Sequence, residues 1–152
     1  MIAIVLLILF FLWNVVVSCI VYQMLKKKQL LLDERFSMTL CMTVVMVSAF
    51  VLALHLKLLH SLLSISSIFL GTFIGWWFSR VMKAPAKVLS LYSGAMGAIM
   101  GSMLAVVMQN PAVCNIPLNA EEMLVLNMYR LAFFITILHT ITMLLIRYSF
   151  RV

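Results

Sequence analysis

The side chains able to do chemistry in this chain are few, and most of them lie inside apolar runs. His139 stands in Thr136-Ile-Leu-His139-Thr140, with Tyr129, Met143 and Arg147 on the same helical face. An ionisable group at membrane depth faces protein or water rather than lipid, which makes His139 a functional candidate. The plain alternative is a neutral imidazole bonded to a neighbouring threonine or carbonyl. That alternative is favoured, because no Asp or Glu lies within any apolar span to complete a proton relay. Asn14, with Ser18 one turn later, is expected to face the bundle, where a buried amide seeks an interhelical hydrogen bond.

Sulfur is the second source of chemistry. Met38, Met42 and Met46 form a helical row with Cys41 beside them, and Met96, Met100 and Met103 form another. Thioethers and thiols suit a soft ion such as Cu(I), the one cofactor this composition suggests. Methionine at helical spacing is more often packing or lipid contact, so the default expectation is no cofactor. Cys19 and Cys41 fall at similar depth without CxxC spacing, and Cys114 is expected in an external loop without a partner. His55 and His60, five apart near the outer surface, either bind a metal or sit among headgroups, and the latter is favoured. Acid, base and nucleophile nowhere share a recognisable pattern, so the chain reads as non-enzymatic.

The elements that must position these residues are membrane helices. A chain of 152 residues that is 66% hydrophobic and 10% charged, with mean hydropathy +1.20, cannot expose that surface to water. Five apolar runs are long enough to span a bilayer: about 2–24, 38–59, 62–82, 87–109 and 123–147. The expected fold is an all-α, polytopic integral membrane bundle of one domain. Asp33 and Ser37 are candidate caps for the second helix, and Asn119 with Glu122 resembles a capping box for the fifth. The polar interruption His55, Lys57, His60 and Ser61 reads as a tight turn between the second and third, and Lys83-Ala84-Pro85 ends the third.

All five glycines fall in the third and fourth helices. Ser67, Gly71, Gly75 and Ser79 line one face of the third, and Ser90, Gly94, Gly97, Gly101 and Ala105 line the fourth. Small residues let backbones approach closely in lipid, so these two rows are expected to pack on each other or on a partner.

Charge orients the whole. Lys26, Lys27, Lys28, Arg35, Arg80, Lys83, Lys87, Arg147 and Arg151 fall on one side of a five-span layout, with Lys57 and Arg130 on the other. Cytoplasmic loops carry the excess of Lys and Arg, so the N-terminus is expected outside and the C-terminus inside, in a plasma (inner) membrane. A net charge of +7 then serves lipid headgroups rather than nucleic acid. The expected role is a subunit or assembly factor that works through small-residue packing, in a homo-oligomer or with other membrane subunits. The alternative is transport, as an oligomeric channel or a Cu(I) carrier using the Met rows and the His139 face.

Overall fold

The structure is a computed structural model that describes residues 2–28, 33–59, 64–110 and 121–150. Its elements are five helices: α1 (Ile2–Lys27), α2 (Glu34–Leu59), α3 (Ser64–Ser79), α4 (Ala84–Gln109) and α5 (Glu121–Ser149). Four of them, α1, α2, α4 and α5, are long and apolar enough to cross a membrane. The described part of α3, 16 residues, rises about 24 Å. The expected His60-Ser61 turn, the 111–120 loop with Cys114 and Asn119, and Arg151 lie outside the described residues.

Helix ends differ from the expected ones for local reasons. α2 starts at Glu34, where the Asp33 carboxylate accepts the Glu34 N–H at 2.8 Å and the Asp33 carbonyl accepts that of Ser37, also at 2.8 Å. Ser37 is therefore not a cap; it is buried inside the helix and donates to Met82 Sδ at 3.2 Å. α3 stops at Ser79 because the chain tightens, with Val81 and Met82 donating to carbonyls three residues back at 3.1 and 3.2 Å. Pro85 does not end a helix but opens one, since α4 already includes Ala84 and a proline in the first turn gives up no helical hydrogen bond.

Neighbouring contacts give the directions. Gly71 meets Gly94 and Gly75 meets Ser90, so α3 and α4 are antiparallel; Gly97 meets Met46 and Gly101 meets Phe50, so α2 and α4 are parallel. Tyr22 against Trp77 and Phe78 makes α1 parallel to α3. Trp13 bonded to Thr140, and Lys28 bonded to the Phe150 carbonyl, make α1 parallel to α5. One end of the bundle thus collects Lys26, Lys27, Lys28, Arg35, Arg80, Lys83, Lys87 and Arg147, with Asp33 and Glu34.

The small residues of α4 serve two neighbours. Ser90, Gly94 and Ala98 form one row against α3, where a Cβ on Gly75 would lie 2.5 Å from the Ser90 carbonyl oxygen. Ser90 adds a hydrogen bond from its hydroxyl to the Gly75 carbonyl, 2.6 Å. Gly97 and Gly101 belong to an adjacent row that rests on the α2 backbone, and Ala105 continues it among Val51 and Leu54. Gly97 and Gly101, read as part of the row that packs on the third helix or on a partner, thus meet α2 instead, and Ala98 takes the place on the α3 side.

Gly101→Ala is expected to destabilise the bundle by about 1–3 kcal/mol, because its Cβ meets the Phe50 carbonyl and the backbones must part. Ser102→Ala, one residue away, should change stability far less; unfolding titrations in mixed micelles compare the two.

Candidate functional site: a buried polar layer between α1, α2 and α5

Among the described residues, two apolar clusters fill the bundle. One gathers Val21, Leu25, Val44 and Met143 toward the basic end; the other gathers Leu7, Leu54, Ala132 and Ile135 toward the opposite end. Between them α1, α2 and α5 turn polar side chains inward. Asn14, His55, Thr136 and His139 are all buried, and Ser18 and Ser48 lie with them on the inner faces.

The hydrogen bonds define which atoms carry protons. Asn14 Nδ2 donates to the Phe10 carbonyl at 2.8 Å and to Thr136 Oγ1 at 3.1 Å. A carbonyl only accepts, so that end of the amide is its NH2 group and the other end is the oxygen. Asn14 Oδ1 stands 2.7 Å from His139 Nδ1, which must therefore donate. By the same logic His55 Nδ1–H donates to the Val51 carbonyl at 2.8 Å. Both neutral rings are left with a lone pair on Nε2.

Donors for those lone pairs are scarce. Thr136 has one hydroxyl hydrogen and two acceptors, the Ala132 carbonyl at 2.8 Å and His55 Nε2 at 3.3 Å. His139 Nε2, Ser18 Oγ and Ser48 Oγ are buried without a partner among the described residues. Because α1 and α5 run opposite to α2, the steps from Asn14 to Ser18, Thr136 to His139 and His55 to Ser48 all lead toward the basic end. Buried polar groups of this kind are ordinarily satisfied by enclosed water. At the lipid side, Trp13 Nε1 donates to Thr140 Oγ1 at 3.2 Å, and Thr140 donates to the Thr136 carbonyl at 2.8 Å.

No protein-family model, curated protein or solved structure matches this chain. The residues themselves must supply the functional argument.

Of the polar residues singled out from the sequence, Asn14, Thr136, His139 and Thr140 form one network, and Ser18 lies a turn along α1. His55 is the residue misjudged. Expected among headgroups, it is buried because α2 stays helical to Leu59 and places His55 two turns beyond Ser48 on the inner face. The heptad spacing from Ser48 was the available signal. Side chains of His60 lie outside the described residues.

The sulfur rows are arranged differently. Cys41 is buried and its thiol donates to the Ala86 carbonyl at 3.5 Å, while Met42, next to it, is exposed. Met38 and Met46 are half-buried, and Met96, Met100 and Met103 lie on the exposed face of α4. Ser67 and Ser79 are buried on α3, with Ser79 donating to the Trp76 carbonyl at 2.6 Å. Among the described residues no three His, Cys, Asp or Glu side chains group to hold a metal ion.

Asn14→Leu removes the amide that joins α1 to α5 and leaves His139 Nδ1–H without its acceptor. A loss of about 1–2 kcal/mol is expected, measured by unfolding in micelles. Two-bond proton–nitrogen correlation spectra of histidine-labelled protein should show His55 and His139 both protonated on Nδ1, and Asn14→Leu should perturb the His139 signals more than those of His55.

Proposed function

We propose that this chain is a non-enzymatic membrane protein acting as a subunit or assembly factor, with α2–α4 as a closed core and α1 and α5 as the elements that meet a partner. The supporting observation is how unequally the helices are used: 61% of the apolar 18-residue stretch of α2 is buried inside the bundle, against 33% for α4, 28% for α5 and 22% for α1. The backbones of α2 and α3, meanwhile, meet that of α4 at its small residues. The small-residue rows are consumed inside the chain, so partner contact moves away from Gly71 and Gly97 to the α1–α5 face. There Leu9, Leu12, Trp13 and Val16 of α1 and Phe133 and Ile137 of α5 border a furrow of about 650 Å³. Thr136 and Thr140 reach the same furrow, so a helix docking there would meet hydroxyls as well as apolar side chains.

In this proposal α3 is a fifth span, and the basic end faces the cytoplasm by the positive-inside rule. The N-terminus is then outside and the C-terminus inside, in a plasma (inner) membrane. The partner is a second copy of this chain or another membrane subunit; no nucleic acid is involved.

Transport is the second reading, and the buried layer favours it. His139 Nε2, Ser18 and Ser48 extend the polar column past the bonded network toward one end of the bundle. The methionines support Cu(I) less, because Met96, Met100 and Met103 point outward rather than toward that column.

A photo-crosslinking residue at Leu12 or Ile137 is expected to give a discrete protein adduct in cells, and the same residue at Met103 on the exposed face of α4 should not. An adduct that adds 17.3 kDa identifies a second copy. Absence of adducts at both positions, with a monomeric mass by light scattering, would remove the subunit reading. Ion flux through proteoliposomes that is lost in His139→Leu would put transport in its place.

A further inference from the structure

The face of α3 and α4 turned away from the polar layer carries a different arrangement. We propose that the α3–α4 hairpin is a binding site for one anionic phospholipid, with its phosphate against Arg80, Lys83 and Lys87 and an acyl chain laid along Phe69, Phe73 and Trp76. The inference rests on membrane insertion alone and is independent of any partner at the α1–α5 face.

The charge is concentrated and local. Arg80, Lys83 and Lys87 are exposed and fall within eight consecutive residues around the turn. No Asp or Glu occurs anywhere from Ser64 to Asn110. The acidic residues described at this end, Asp33 and Glu34, open α2 instead. The α4 N-terminus lies in the same turn, and its dipole adds to the positive field.

The guanidinium is also positioned. Arg80 Cζ sits 4.0 Å from the centroid of the Trp76 ring, a cation–π contact that holds the charge over an exposed aromatic face. Tryptophan favours the headgroup level, so the cation is held where a phosphate would be.

Below the charge runs a furrow of about 690 Å³ bordered by Phe69, Phe73 and Trp76 of α3 and Leu91 of α4. From Ser79, next to Arg80, to Phe69 the helix rises about 15 Å, close to one leaflet of a hydrocarbon core about 30 Å thick. Phe73 packs against Trp76 with ring centroids 5.9 Å apart, so this wall of the furrow is largely aromatic. The furrow beside Arg147 on α5, about 530 Å³, has a single cation at its head. A phospholipid needs both a charge cluster and a chain-length furrow, and the hairpin places the two together.

Delipidated full-length protein in mild detergent, titrated with phosphatidylglycerol or phosphatidylcholine and read by native mass spectrometry, tests the site. One phosphatidylglycerol should be retained in preference to phosphatidylcholine. Each basic residue near an anionic surface is worth about fivefold in affinity, so Lys83→Gln with Lys87→Gln should weaken phosphatidylglycerol binding roughly 25-fold. Lys26→Gln with Lys27→Gln removes the same charge from the same end of the bundle but on α1, away from the hairpin, and should weaken binding far less. Phe73→Ala should weaken retention of both lipids. Equal losses from the two lysine pairs, or equal retention of the two lipids by the unaltered protein, would overturn the proposal.

Discussion

Contact between helix backbones is the interaction on which this bundle depends. Apolar side chains gain little by exchanging lipid for protein, so helices hold together where their main chains come close. Here α4 supplies that closeness twice, with Ser90, Gly94 and Ala98 against α3 and with Gly97 and Gly101 against α2. The rows are adjacent on the helix surface, each stepping by four residues. α4 therefore acts as the shared wall of a three-helix core, and α2 becomes its most enclosed member.

The outer helices are joined by a different kind of force. α1 and α5 have no glycine, and the bonds between them run from Asn14 to Thr136 and His139 and from Trp13 to Thr140. His55 of α2 reaches the same threonine, so one hydroxyl links the core to the pair outside it. Because both imidazoles present lone pairs, the layer holds more acceptors than donors. Packing fixes the core, and proton placement fixes how the outer pair is attached.

Much of this order could be read from the residues, and the misreadings share a cause. The apolar runs located the helices. Spacing of three and four residues cannot tell one broad face from two narrow ones, so it left Gly97 and Gly101 in the same row as Gly94 although they meet α2. His55 was taken for a surface residue because Lys57 and His60 made the region look like a turn. Lys57 is in fact buried, with its carbonyl accepting Gln109 Nε2 at 3.0 Å. Tertiary enclosure of a polar residue leaves no trace in local composition. Asn14 and His139 were legible because an isolated polar group in a long apolar run has few alternatives to facing inward.

The order of the elements along the chain has a consequence for synthesis. α2, α3 and α4 are consecutive, so the glycine-lined core can close as soon as α4 enters the bilayer. Asn14 belongs to the first helix made, whereas Thr136 and His139 belong to the last. Throughout that interval its amide has, within α1, the Phe10 carbonyl one turn back as an acceptor. The first helix thus enters the membrane with a polar group in waiting, and the arrival of the last helix completes the attachment of both.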